Sequence, residues 1–384
     1  MKSTGGTICV GAIVQWPEFG INAGGAVHAF EVARVLTRTH DVVVVIPDFL
    51  EGDVRAAFPT LALRIVRLPA FARRSTIGFQ IASLFGWLTV RDVYRRSSVI
   101  VATSHFLGDV LPLLYARRPG IVVVHHLAAS PLRRSGSFLT NAAHYVTERA
   151  SLWFASFGVR GFVTSSETVK RQISTLRGNR PIVVTTNAPR SAGRHNRATS
   201  PKTLAAVPML TYVGRLSPTK GLDLLIDAWS TVVKAIPSAR LQIAGDGSPL
   251  YRSELERRAA RLGVSESIVF HGRIGENEKT RLLESSTLFA FPSREEGFGI
   301  VLAEAMSYAL PCVTLDLPIF RELFPLGRLI AADAPEAYGR TVLDLLSDAA
   351  KYNIVSMEAL TMASSFTWER AATLDVSMLQ SNLA

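Results

Sequence analysis

The chain has 384 residues, 48% hydrophobic and 19% charged, enough to bury more than one core, so two domains are expected. Its only cysteines, Cys9 and Cys312, lie in apolar strand-like runs, which argues against a disulfide framework or a cysteine metal site and for buried thiols in a reducing compartment. The net charge of +11 is lopsided: residues 1–190 hold 22 of the 42 Lys and Arg but 10 of the 31 Asp and Glu, so that half carries +12 and the rest −1. A surplus confined to one half points to an anionic surface or acceptor, such as membrane phospholipid or a lipid-linked pyrophosphate sugar. Nucleic acid is not expected as a partner, since no recognised binding module accompanies the charge.

Ile8–Val14 is a first strand, too short for a secretory core and bounded by Gln15-Trp16-Pro17; no run reaches the ~20 apolar residues of a membrane span. A cytoplasmic protein is expected. Gly24-Gly25 follows, either as a plain tight turn or as a place where a phosphate or acceptor approaches the backbone. Ala29, Val32, Ala33 and Leu36 then recur at helical spacing before the strand Val42–Ile46, giving a strand–helix–strand unit. Further strands are expected at Val99–Ala102, Ile121–Val124, Gly161–Thr164 and Ile182–Val184. Phe71–Leu88, followed by Arg91, Arg95 and Arg96, and Ser151–Phe157 mix aromatic and aliphatic residues, as in a core-facing helix or one lying at the inner face of an anionic membrane. His125 and His126 end the strand Ile121–Val124, and only one of two successive side chains can face a site there. His105 ends another strand. The polar stretch 189–201 is expected to link the halves.

In the second half Met209–Val213 is a strand, and Leu222, Leu225, Ile226, Trp229, Val232, Val233 and Ile236 mark one helical face. Arg215 and Lys220 therefore sit on a strand-to-helix loop, where a planar fork of donors and a mobile point charge suit a diphosphate. Leu288–Phe291 is an apolar strand leading into Pro292-Ser-Arg-Glu-Glu-Gly-Phe-Gly-Ile-Val-Leu-Ala-Glu-Ala-Met306. A helix beginning near Phe298 spaces Glu296 and Glu304 by about 12 Å at ~1.5 Å per residue, the reach of a nucleotide sugar from hexose to ribose. Its unpaired N–H groups and dipole favour a phosphate between the two carboxylates, and Gly297 and Gly299 let the backbone come close.

These residues resemble the retaining glycosyltransferases of family 4 (glycosyl transferases group 1). The likeness runs in order through Gly214-Arg215 with Lys220-Gly221, Leu241–Gly247, Val269–Gly272, the block holding both glutamates, Ala309–Val313 and Phe366-Thr-Trp-Glu369, covering most of 209–370. It implies the α/β GT-B fold: two Rossmann-like doubly wound domains facing a central cleft, an acceptor-side domain over 1–190 and a nucleotide-sugar domain over 202–365, with the last helix (366–384) crossing back to the first. By the same resemblance Arg215 and Lys220 neutralise the donor diphosphate, and Glu296 contacts the donor sugar near the reacting carbon. Glu304 binds the ribose hydroxyls, the backbone at Phe298, Gly299 and Ile300 meets sugar and phosphate, and Arg273 and Ile274 lie near the base. Gly24 and Gly25 border the donor, and His125 or His126 stands near the reaction centre, His125 being favoured. The donor is then a nucleotide-diphosphate sugar and the acceptor a hydroxyl on a sugar or lipid-linked sugar, in polysaccharide or glycolipid assembly. No Asp-x-Asp motif ends a strand, so no metal and no cofactor are expected.

Two departures stand out. Asn187-Ala-Pro-Arg190 replaces the family's Asn-Gly-Val-Asp, and Ala309 stands where glycine is common, implying a slightly different helix exit. The alternatives are a GT-B-like sugar-nucleotide epimerase, separable by product analysis without acceptor, and a non-catalytic sugar-nucleotide-binding partner protein, against which Arg215, Lys220, Glu296 and Glu304 argue. An oxidoreductase is disfavoured, since Gly245-Asp-Gly247 is not a dinucleotide fingerprint.

Overall fold

The computed structural model describes residues 6–14, 20–22, 24–73, 76–127, 138–175, 180–190 and 198–380. Gln15-Trp16-Pro17, Arg74-Ser75 and most of the expected linker lie outside the described residues. The chain divides into two compact units, Met1–Arg190 with Thr367–Ala384, and Ser191–Phe366.

The first unit is a seven-stranded sheet of β1 (Ile8–Gly11), β2 (Val42–Pro47), β3 (Ala62–Val66), β4 (Val99–Ala102), β5 (Gly120–Val124), β6 (Gly161–Thr164) and β7 (Ile182–Val184). Their order is β3-β2-β1-β4-β5-β6-β7, every pair parallel, with Cys9 in register with Val43 on one side and Ile100 on the other. A parallel sheet covered by helices on both faces needs apolar residues at consecutive positions, which is why Val42–Pro47 reads as an unbroken apolar run.

The second unit holds β8 (Met209–Val213), β9 (Arg240–Ala244), β10 (Ile268–Gly272), β11 (Leu288–Phe291), β12 (Cys312–Leu315) and β13 (Arg328–Ala331). Their order is β10-β9-β8-β11-β12-β13, again all parallel. On the helix Leu222–Ala235 the predicted stripe is buried at Leu222, Leu225, Ile226, Trp229 and Val232, while Leu224 joins it unexpectedly. Trp229 is fully enclosed and its Nε1 donates to Ser267 Oγ at 2.8 Å.

The sequence reading held β9 and β10 only as motif stretches, without calling them strands, and had nothing at β3 and β13. Both are edge strands; β3 alternates exposed and half-buried residues around Arg64 and buries only Val66, and β13 opens on Arg328 and leaves Ile330 half exposed. The first strand stops at Gly11 rather than Val14.

The last helix of the described residues, Trp368–Gln380, belongs to the first unit and packs on the helix Gly24–Leu36. Trp368 is buried and donates from Nε1 to the Pro189 carbonyl at 3.2 Å, and Thr185 Oγ1 donates to the Ala371 carbonyl at 3.2 Å. In each sheet the strand order reverses once, between β1 and β4 and between β8 and β11. The loops leaving those strands flank the crevice at which open α/β sheets take ligands.

Candidate functional site: two switch points

At the second unit's switch point the loops after β8 and β11 are fastened together. Arg294 N donates to the Thr219 carbonyl at 2.8 Å, and its guanidinium pairs with Asp223 at 2.8 Å and Asp333 at 3.0 Å. Gly221, at φ +68°, is the point of closest approach: a Cβ there would fall 2.1 Å from the Pro292 carbonyl oxygen, so glycine alone lets the loops meet.

This contact brings Lys220 to Glu296. Lys220 Nζ lies 2.5 Å from Glu296 Oε1 and 3.3 Å from the Glu295 carbonyl, both side chains being mostly buried. Arg215 is exposed on the same loop as Lys220, and Tyr212 beneath it donates from Oη to the Arg215 carbonyl at 2.9 Å. Burial raises the Tyr212 phenol well above its ordinary value, and the nearby Glu296 charge adds to the rise.

Beyond Glu296 the helix begins at Ile300 rather than near Phe298, and runs to Ser307 behind Gly299 at φ +97°. The Phe298 side chain is buried among Phe324 and Phe366, at ring separations of 5.6 and 5.4 Å. Glu304 is buried on that helix, and Lys279 Nζ donates to its Oε2 at 2.8 Å. Lys279 also pairs with Glu276 at 3.0 Å. Burial pulls the Lys279 ammonium down, but the charges of Glu304 and Glu276 outweigh it and leave the net shift upward. Arg273, exposed, and Ile274, half-buried, follow β10 and precede the helix Glu276–Ser285 that carries Lys279.

The first unit's switch point gathers histidines. His125 follows β5, and the ring nitrogen Nε2 lies 3.0 Å from the Thr103 carbonyl after β4. A carbonyl can only accept, so Nε2 carries the proton and Nδ1 of the neutral ring is an acceptor. Gly24 and Gly25 are the first residues of the helix Gly24–Leu36 rather than a turn before it, and a Cβ at Gly25 would come within 3.0 Å of His125 Cδ2. His28, one helical turn on, packs its ring edge on His125 at 5.3 Å. Its Nδ1 meets Asn187 Oδ1 at 2.8 Å and its Nε2 meets Asp375 Oδ2 at 3.1 Å. Burial alone would lower His28, but Asp375 and its hydrogen bond, with that of Asn187, carry the net shift upward. His125 is pulled down to about 3, first by burial and then by the charge of His28.

Asp109 holds the loop after β1, accepting from Ile13 N at 2.8 Å, Val14 N at 3.1 Å and Ser104 Oγ at 2.6 Å; burial raises its carboxyl to about 7. His105 is buried 3.6 Å from Glu148 and stacked on Phe106, and His126 is half-buried. Among the described residues no three His, Cys, Asp or Glu side chains converge as a metal site.

Residues 207–348 match the family glycosyl transferases group 1. The match is confined to that stretch of the chain. The D-inositol 3-phosphate glycosyltransferase of Segniliparus rotundus is 29% identical over 169 residues, which are 43% of this chain and 38% of that protein. The mannosylfructose-phosphate synthase of Agrobacterium fabrum is 31% identical over 166 residues, 41% of this chain and 37% of that one. The chain thus spans under two fifths of the length of these curated relatives. Over nearly its whole length it is similar in structure to Anabaena HepE in complex with UDP and glucose, at a TM-score of 0.76 and 17% identity, covering 98% of this chain and 100% of that one. The sucrose-phosphate synthase of Thermosynechococcus elongatus gives a TM-score of 0.75 at 16% identity, covering 98% of each chain. At such identities the likeness establishes the fold, which is GT-B, with two Rossmann-like domains.

Within the group 1 segment the structure joins Lys220 to Glu296 and buries Glu304, while Arg215 stays exposed beside them. The sequence reading passed over Lys279, Asp109, His28 and Asp375. Lys279 and Asp109 lie on otherwise ordinary helices, and 347 residues separate His28 from Asp375. The one available signal was the charge of Lys279 and Asp109 at helix positions that turn inward.

Proposed function

We infer that the protein is a retaining glycosyltransferase that moves a sugar from a nucleotide-diphosphate donor to a hydroxyl acceptor without a divalent metal. The observation that carries this is the meeting of Lys220 and Glu296 where the second sheet reverses its strand order, followed at once by a helix start and the buried Glu304. Solved structures of the similar Anabaena protein hold UDP and UDP-glucose, which supports a nucleotide sugar as donor.

In this reaction the bond from the anomeric carbon to the diphosphate oxygen breaks, the acceptor oxygen bonds to the same face of that carbon, and the hydroxyl proton passes to the departing diphosphate. Lys220, Arg215 and the N–H groups near Gly299 and Ile300 supply fixed positive charge where negative charge accumulates, the role a metal fills elsewhere. Glu296 faces the donor sugar, Glu304 accepts from the ribose hydroxyls, and Arg273 and Ile274 border the base. In the first unit, Gly24 and Gly25 give the backbone room, and His125, neutral with Nδ1 as acceptor, suits a sugar hydroxyl; His126 is the second candidate.

A peripheral membrane contact belongs to the same reading. The helices Thr76–Gly86 and Phe138–Gly158 both pack on Leu107–Ala116. They expose Ile81, Phe85, Trp153, Phe154 and Phe157, with Phe85 64% exposed, beside the exposed Arg91, Arg95 and Arg96. Aromatic residues next to arginines fit an anionic bilayer surface, where a lipid-linked acceptor resides. No helix of the described residues is long and apolar enough to cross a membrane.

The test of the transfer reaction is direct. Purified protein is incubated with nucleoside-diphosphate sugars with and without sugar or lipid-linked acceptors, and the anomeric configuration of the product is read by NMR. A charge-assisted hydrogen bond is worth roughly 1.5–3 kcal/mol, so Lys220→Ala is expected to lower turnover about tenfold to a hundredfold. Full activity in that variant, an inverted product, or dependence on added Mg²⁺ would each overturn part of the assignment.

A further inference from the structure

Lys279 is a mostly buried cation on a helix that the predicted chemistry does not use. Its side chain is 15% exposed, and it pairs with two carboxylates, Glu304 at 2.8 Å and Glu276 at 3.0 Å. Glu304 is the more enclosed of the two, its side chain 5% exposed against 43% for Glu276. A cation on one oxygen of a buried carboxylate fixes the orientation of the group and leaves its other oxygen to accept a charge-assisted hydrogen bond.

The position of Lys279 adds a second point. Its helix, Glu276–Ser285, starts two residues after Ile274, on the turn assigned to the base, while Glu304 stands on the helix Ile300–Ser307. One residue further on, Tyr308 Oη donates to Thr280 Oγ1 at 3.2 Å, so successive residues of the first helix, 279 and 280, are tied to the second. Lysine rather than arginine suits such a site, because its compact charge on a flexible stem reaches one carboxylate oxygen without demanding a planar fork.

We propose that Lys279 is the positioning residue of the nucleoside subsite: it holds the Glu304 carboxylate in one orientation, and so sets how strictly the protein demands a ribose. This rests on the donor reading of Glu304. Lys279 itself touches no reacting atom, and its effect falls on donor affinity and on sugar discrimination rather than on the transfer step.

The experiment compares UDP, GDP and ADP with their 2′-deoxy counterparts by isothermal titration calorimetry. Whichever ribonucleotide the native protein binds is expected to bind roughly tenfold to a hundredfold more tightly than its deoxy form, the worth of one charge-assisted hydrogen bond. Lys279→Met is expected to bring the pair within about threefold of each other and to raise the donor KM with little change in kcat. Lys279→Arg keeps most of the discrimination, and Glu276→Gln keeps all of it. If Lys279→Met does not fold, Lys279→Gln, which keeps a donor and loses the charge, carries the same comparison. A variant that weakens both nucleotides in equal proportion, leaving the ratio intact, means that Lys279 only braces two helices and overturns the proposal. Native protein that binds a ribonucleotide and its deoxy form alike overturns it too, together with the role of Glu304. Native protein that binds none of the three nucleotides brings down the donor reading itself.

Discussion

Single side chains in this protein act through partners far away in the chain. His28 has a carboxylate on one ring nitrogen and an amide oxygen on the other, which both favour the doubly protonated ring. Its native pKa is raised, so its contribution to stability is fully present below the ordinary imidazole value near 6.5 and is lost as pH rises through the native value. Asp375→Asn is therefore expected to lower the melting temperature more at pH 6 than at pH 9, and a loss independent of pH would show that Asp375 acts by packing alone. His125 works in the opposite sense. Its native pKa lies near 3, so stability drains as pH falls below about 6.5, where the unfolded ring takes up a proton and the native one does not.

At the scale of elements, helix ends show how local chemistry and distant contacts share the work. Ser166 caps the helix Glu167–Ser174 by accepting from Val169 N at 3.1 Å, a signature visible in sequence. The helix Glu276–Ser285 instead ends on Lys202, whose Nζ donates to the carbonyls of Leu283, Glu284 and Ser286 at 3.1, 2.6 and 2.8 Å, a cap no local rule predicts. Two helices leave through left-handed residues that are not glycine, Arg117 at φ +52° and Ala309 at φ +56°. Ala309, where the family commonly has glycine, carries the strain of a Cβ at positive φ. Arg117 is exposed, so Arg117→Gly should relieve the same strain at no packing cost and stabilise the protein by about 0.5–1 kcal/mol. That is roughly a 1–3 °C rise in melting temperature for a unit of this size, read by differential scanning calorimetry; an unchanged or lower value would mean the turn is unstrained.

At the scale of the molecule, each unit is a parallel sheet whose order reverses once, and the loops at that reversal in the second unit carry the residues proposed for the donor. The charge asymmetry belongs here as well, since the basic first unit also presents the apolar helices. Co-sedimentation with vesicles of phosphatidylglycerol is expected, weakening between 50 and 300 mM salt, with much weaker retention on neutral phosphatidylcholine. Phe85→Ser with Phe157→Ser should reduce binding about tenfold or more while leaving transfer to a soluble acceptor unchanged, each exposed aromatic contributing on the order of 1–2 kcal/mol at an interface. Equal binding to both lipids, or none to either, would remove the membrane from the account.

The sequence by itself determined most strands, the alternation of strand and helix, and the placement of Lys220, Glu296 and Glu304 on loops and helix starts. Those features follow from periodicity, turn chemistry and ordered motifs within a few dozen residues. It gave no hint of β3 and β13, because an edge strand needs apolar residues on fewer sides and its pattern is weak. Only the tertiary structure decided that Gly221 brings two loops into contact, that Lys279 holds Glu304, and that the last helix supplies Asp375 to His28. Each of these is a pairing through space, and which buried charge finds which partner is fixed by how sheets and helices stack, a matter on which spacing along the chain carries no information.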